Sequence, residues 1–286
     1  MSEPIFNGSP ESAVEWPYEI RYDVVNEIEA DVIILGGGIA GAWAAIEAAK
    51  KGAKVAMIEK SASIRSGAGG AGVDHWQQAC TNPCSKVTPE RMATDIQAVY
   101  GGYNSGISRY LTCRESYDTL LELEEMGVQI RDENDEFVGA EFRDEETKFL
   151  FAYDYETKYT MRIWGNGAKP AMYYECKRLG VQIFDRVAVT SLLNEGGKPG
   201  GRIVGATAIN TRTGEFYVFK AKATITAMSM AERVWMFSTE LQGFEYLESD
   251  PNCGGEGFDL PCRAGADMTM MEKAYSSPGP FTYPFY

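Results

Sequence analysis

The turn Gly36-Gly37-Gly38-Ile39-Ala40-Gly41 and the acid Glu59 are the residues of this chain whose type and spacing point to chemistry. The first glycine permits a tight turn, Gly38 lets backbone approach a pyrophosphate, and Gly41 lets a helix pack closely on a strand. A helix that starts there aims unpaired N–H groups and the positive end of its dipole at the phosphates. Glu59 stands where a carboxylate accepts both hydroxyls of a ribose, and its charge opposes a 2′-phosphate at the same place. These are the groups that grip an adenine dinucleotide.

The elements that must hold them lie between Asp31 and Lys60. Val32 to Leu35 form an apolar, partly β-branched run suited to a parallel strand buried on both faces. An alanine-rich helix follows the glycines, and a second strand ends at Glu59. The next segment, Ser61 to Gly72, has no periodicity and consists only of glycine and alanine from Gly67 onward. Such residues allow a second stretch of backbone to lie against the same ligand.

Further on, Pro89 to Tyr100 and Gly106 to Met126 carry helical spacing, the second with Leu111, Leu120, Leu121 and Leu123 on or near one face and Gly127 as a stop. A third helix is predicted at about Pro170 to Leu179. From Val181 the period shortens to two: VQIF, RVAVTSLL, a turn over Asn194 to Gly201, RIVGATAIN, a turn over Thr211 to Gly214, EFYVFK and KATITAM. Alternation with turn signals predicts an antiparallel meander. The expected fold is thus α/β, with a Rossmann-like parallel sheet and a β-meander. Residues 1–27 read as an arm, and residues 28–286 as one domain.

Bulk composition sets limits. The chain has 286 residues, 44% of them hydrophobic and 24% charged, which is ordinary for a folded globular protein. A net charge of −14 disfavours non-specific binding to nucleic acid or anionic membrane. No stretch approaches the roughly 20 apolar residues of a membrane span. Met1-Ser2-Glu3-Pro4 lacks the basic and apolar regions of a secretory leader. The expected location is the cytoplasm, where the six cysteines stay as thiols. Cys80 and Cys84 lie near His75, but their spacing matches no standard zinc or iron–sulfur pattern, so no metal is expected. The acid clusters Glu122, Glu124, Glu125 and Asp144-Glu145-Glu146 read as solvated faces.

The chain resembles the fumarate reductase and succinate dehydrogenase flavoprotein family, which includes the flavin subunit of adenylylsulfate reductase. The resemblance runs from about Glu29 to Glu272. It is carried by GGGIAGAWAAIEAAKKGAKVAMIEK, the RSGAGGAG segment from Arg65, the RVAV strand from Arg186, the segment before Ala227, and GGEGFDLPCRAGADMTMMEK from Gly254. It implies an FAD-binding domain in which Gly36, Gly38 and Gly41, with Ile39 and Ala40 between them, hold the pyrophosphate. Glu59 would hold the adenosine ribose, with the Lys60 backbone beside it. Ser66, Gly67, Gly69 and Gly70 would follow the ribityl chain and flavin, and Val187 would meet adenine through its main chain. Membrane-bound members carry a flavin-linked histidine at the position of Gly67. Glycine cannot form that bond, so the FAD is expected to be non-covalent.

Three departures qualify what the resemblance implies. Ala227-Met228-Ser229-Met230 replaces Ala-Thr-Gly-Gly, keeping Ala227 as a cofactor contact without the two glycines. The stretch Glu272 to Pro278 lacks the histidine and threonine of the dicarboxylate site, so fumarate or succinate is not implied as substrate. The sequence stops at Tyr286, before the family's capping domain and its arginine proton donor. The expectation is therefore an FAD-dependent oxidoreductase acting on a small organic molecule. A second chain is expected to supply the cap or the electrons, an iron–sulfur protein being one candidate. The alternatives are a flavin subunit like that of adenylylsulfate reductase, or a non-catalytic electron-transfer subunit. His75, Asp74 and Trp76 follow the glycine segment but read as structural, and no catalytic residue is assigned.

Overall fold

The computed structural model describes residues 16–153, 155–229 and 252–269. A six-stranded mixed sheet organises them. Strand β1 (Val25–Leu35) leads into helix α1 (Ile39–Lys50) and strand β2 (Val55–Glu59), which pairs in parallel with β1 from Val32↔Val55 to Leu35↔Ile58. The buried part of β1 is the apolar run expected from sequence, while its first half alternates exposed and half-buried residues. All of β2 is buried, as a central parallel strand requires.

A two-residue strand β3 (His75–Trp76) follows, then helices α2 (Pro89–Val99) and α3 (Gly106–Glu125). Thr88 caps α2 by accepting from Arg91 N, and Ser105 caps α3 by accepting from Ser108 N. Of the four leucines expected on one face of α3, Leu120 and Leu123 are buried and Leu121 packs beside them. Leu111 lies two turns before them and is exposed. Short strands β4 (Leu150–Phe151) and β5 (Met161–Arg162) join β3 in a three-stranded antiparallel sheet in the order β3-β5-β4. Sequence periodicity gives no hint of this sheet, because two-residue strands hold no period to detect.

Helix α4 (Ala168–Arg178) precedes β6 (Gln182–Asp185), β7 (Val187–Asn194), β8 (Ile203–Asn210) and β9 (Phe216–Thr226). The order across the main sheet is β6-β2-β1-β9-β8-β7. Two expectations are corrected here. VQIF does not belong to the meander: as β6 it extends the parallel sheet beside β2. Arg186, at φ +61°, separates it from β7, which lies at the opposite edge of the sheet. EFYVFK and KATITAM are one continuous strand, β9, which pairs in parallel with β1 along its length and antiparallel with β8 through its first half. Helix α5 (Glu256–Arg263) ends the described fold.

Alternation along β1 and β2 creates two cores. Ile34, Val55 and Met57 face Ala42, Ala45 and Ile46 of α1, together with Leu120, Leu123, Phe149, Met172 and Cys176. Ile33, Leu35, Ala56 and Ile58 face the other way, onto Val187, Ala206, Ala208 and Phe219 of the meander. Helices therefore cover one face of the parallel strands and the meander covers the other. Each large side chain so buried contributes roughly 1.5–3 kcal/mol. Trp16 and Arg21 lie on the turn between β8 and β9, where Trp16 Nε1 donates to Arg212 O at 2.8 Å and Arg21 N donates to Thr213 O at 2.7 Å.

Candidate functional site

The C-terminal ends of β1, β2 and β9 meet at one cleft. Gly36 begins the turn at φ +102°, a conformation open to glycine at little cost. A Cβ on it would lie 2.4 Å from the Ala227 carbonyl oxygen. The turn is closed on both sides: Gly36 N donates to Ile58 O at 2.8 Å, and Ala227 N donates to Leu35 O at 2.7 Å. A Cβ on Gly41 would fall 1.8 Å from Gly36 O, so the first turn of α1 sits directly on the loop that precedes it. Gly38 occupies the N-cap of α1 without any side-chain cap, leaving that helix end to other acceptors.

The glycine segment after Lys60 comes back to this turn. Gly67, at φ +79°, would bring a Cβ to 3.0 Å from Gly38 Cα. Ser66 is buried, and its hydroxyl donates to Gly37 O at 3.0 Å. Two short backbone stretches thus stand side by side with no side chains between them. That is the form a cradle for an extended dinucleotide needs, and any larger residue at these positions would fill it.

Glu59 is buried at the floor. Its two oxygens accept from Gly37 N at 2.6 Å and Ser61 N at 2.7 Å. A carboxylate has about four lone-pair positions, so acceptor capacity remains for hydroxyls. Lys60 crosses the mouth to Glu256, the first residue of α5, with Nζ 2.5 Å from Oε1. Burial raises the Glu256 pKa and the Lys60 ammonium lowers it, and the net displacement is downward. The Glu256 carboxylate therefore stays ionised.

Of the positions expected from sequence to touch the cofactor, Gly36, Gly38, Glu59, Lys60, Gly67, Val187 and Ala227 line the cleft together. Ile39, Ala40, Gly41, Ser66, Gly69 and Gly70 do not line it. Gly41 and Ser66 support the turn from behind, as described above. Gly69 packs under Ile39, where a Cβ would lie 2.2 Å from Cδ1. Gly70 closes a turn on Gly67 O at 2.8 Å, and Ala40 is exposed. Ile58, Ala188, Val189, Met228, Ser229, Asn252, Cys253 and Glu256 also line the cleft. Asn252, Cys253 and Glu256 are brought in from the segment before and at the start of α5, which no local motif ties to the glycine turn.

Ser229 stands where the resembling family has a glycine. It adopts φ +63°, a left-handed backbone that glycine takes up more readily than serine. Met230 and the stretch Glu272 to Pro278 lie outside the described residues.

Sequence reasoning also missed Lys169, the second residue of α4. It is 1% exposed, and its Nζ donates to Gly37 O beneath the turn. Burial pushes its pKa down to about 8, against the opposing pull of Glu59, Cys176 and Asp185. The other candidates lie apart from the cleft lining. His75 stacks on Tyr153 with ring centroids 4.7 Å apart and holds Asp74 Oδ1 at 2.7 Å from Nδ1. Trp76 Nε1 donates to Ser116 O at 2.9 Å and its ring packs on the helical core. Cys80 is buried beside Cys113, and burial pushes its thiol up to about 12, which keeps it protonated.

Comparison with known proteins agrees with this geometry. The sequence profile of the FAD binding domain family matches residues 31–283. One subunit of the fumarate reductase (CoM/CoB) of Methanothermobacter marburgensis is 27% identical over 264 residues, covering 90% of this chain and 43% of its own. The alpha subunit of the adenylylsulfate reductase of Megalodesulfovibrio gigas is 25% identical over 272 residues, covering 90% of this chain and 40% of its own. The solved adenylylsulfate reductase of Archaeoglobus fulgidus superposes with a TM-score of 0.70 at 25% identity, over 88% of this chain and 39% of that one. This chain therefore spans about two fifths of the length of the relatives it matches.

Proposed function

The chain belongs to the FAD binding domain family, and on that premise we propose that it is the flavin-holding part of an oxidoreductase that acts on a small organic molecule. The observation that carries the reading is the cleft where Gly36, Gly38 and Gly67 present bare backbone beside the Glu59 carboxylate. When bound, FAD supplies hydride transfer at its flavin N5. The chain's own residues bind and orient it. The N-terminus of α1 and the Gly38 amide receive the pyrophosphate, Glu59 accepts from the adenosine ribose, and Val187 to Val189 border the adenine end.

Attachment in this reading is non-covalent, since Gly67 has no side chain to form a bond. The substrate is a small organic molecule without assignment to fumarate or succinate. Each of the two relatives is one subunit of its enzyme. We extend that arrangement to this chain, which would work with a further polypeptide supplying a cap or electrons, an iron–sulfur protein among the candidates. A cytoplasmic location belongs to the same reading and draws support from six cysteines that are all free thiols. Residues 1–27 as an arm and 28–286 as the FAD-binding domain complete it. No helix among the described residues is long and apolar enough to cross a membrane.

The test is direct. Purified chain mixed with FAD and passed through a desalting column should emerge yellow, with quenched flavin fluorescence and a raised melting temperature. A colourless protein with an unchanged melting temperature would refute the reading.

A further inference from the structure

Lys169 occupies a position that opposes a cation in two ways. It is 1% exposed, and desolvation disfavours the charged form of an amine. It is also the second residue of α4, at the positive end of that helix dipole, where cations are unfavourable. The side chain is nevertheless directed at one acceptor, the Gly37 carbonyl, which also receives the Ser66 hydroxyl. The C=O and N–H of a trans peptide unit point in opposite directions. Two donors holding the Gly37 carbonyl toward the protein interior therefore turn the Gly38 amide toward the cleft that Gly38 lines.

We propose that Lys169 is a positioning residue for the cofactor turn: its ammonium clamps the Gly37 carbonyl inward so that the Gly38 amide is presented to a cofactor phosphate. The inference rests on the FAD reading above. It adds a role for a residue some 130 positions downstream of the glycine motif. The charge also stands behind the turn that the phosphates approach. The titratable groups facing it are Glu59 at the end of β2, Asp185 at the end of β6 and Cys176 on α4 itself. The buried residues of α1, which packs on α4, are Gly41, Ala42, Ala45 and Ile46, none of them titratable. Because phosphates favour the ammonium form, FAD affinity should fall as the lysine loses its proton above about pH 8.

The experiment compares the full-length wild type with Lys169→Met, which keeps length and removes the charge. FAD dissociation constants come from flavin fluorescence quenching between pH 6.5 and 9.5, and ligand-free melting is recorded for both. The expected result is a variant that melts no lower than wild type without FAD. It should bind FAD about tenfold or more weakly at pH 7 and show no pH dependence of its own near 8. Equal affinity of the two proteins at pH 7 would overturn the role of Lys169 and leave the FAD reading intact. Wild type that binds no FAD would overturn both. If the variant fails to fold, the wild-type profile decides, and an affinity constant from pH 7 to 9.5 would refute the clamp.

Discussion

Lys60 Nζ and Glu256 Oε1 lie 2.5 Å apart, joining the end of β2 to the first residue of α5 across the mouth of the cleft. Both side chains are about a third exposed, so solvent screens the pair and it contributes less than about 1 kcal/mol. Glu256→Gln should therefore shift the midpoint of urea unfolding only slightly. A loss above about 2 kcal/mol would show that the pair anchors α5.

Glu59→Ala should do two things at once. It removes the acceptor for ribose hydroxyls and orphans the Gly37 and Ser61 amides, whose hydrogen bonds to a charged group contribute roughly 1.5–3 kcal/mol each. We expect FAD affinity to drop at least tenfold and the protein to lose about 2–4 kcal/mol of stability. Equilibrium dialysis and chemical denaturation measure the two effects separately. Retention of full flavin occupancy would argue against Glu59 as the ribose acceptor.

Gly41→Ala and Gly52→Ala separate steric from conformational effects. Gly52 has φ +83° with open space where a Cβ would stand, so alanine there should cost only about 1–2 kcal/mol. At Gly41 the new methyl would meet Gly36 O at 1.8 Å, and α1 must move off the turn. The expected outcome is a much larger loss of stability with loss of FAD binding, read by thermal melts and flavin absorbance.

Ser229→Gly should raise stability by up to about 1 kcal/mol, since a left-handed φ of +63° strains serine and not glycine. Differential melting of the two proteins checks the sign.

Proton linkage gives an alkaline prediction for the ligand-free protein. Lys169 has a folded pKa of about 8 against an ordinary 10.5, so between those values the unfolded chain binds more protons and folding gains stability as pH rises. The stability advantage of Lys169→Met over wild type should shrink by about 3 kcal/mol between pH 8 and pH 10.5. Paired urea titrations at those two pH values cancel groups common to both proteins. A difference independent of pH would mean that Lys169 keeps its ordinary pKa in the folded protein, so that burial does not depress it.

Acid precipitation of the FAD complex should leave all flavin in the supernatant, because Gly67 offers no atom for a covalent link. Flavin in the pellet would contradict non-covalent attachment.

The βαβ unit is legible because each glycine answers a local need: Gly36 for its φ, Gly41 for its contact, Gly38 for its bare helix end. The helices α2 and α3 are equally legible, since Thr88, Pro89 and Ser105 mark their starts. What escapes is whatever depends on partners far along the chain. Four residues of VQIF alternate as well beside β2 as they would in a meander, and nothing local chooses between them. Lys169 reads from sequence as a surface lysine on a short helix, and only the packing of α4 against α1 takes it under the glycine turn. Glu256 and Asn252 reach the cleft for the same reason.

Strand β9 bonds to β1 along one edge and to β8 along the other, and then delivers Ala227 to Gly36. A single-residue slip would rotate Phe219 out of its core and simultaneously displace the carbonyl against which the glycine loop is moulded. Errors in assembling the outer hairpin layer would thus be registered at the nucleotide cleft. Folding fidelity in one half of the molecule becomes a precondition for ligand competence in the other.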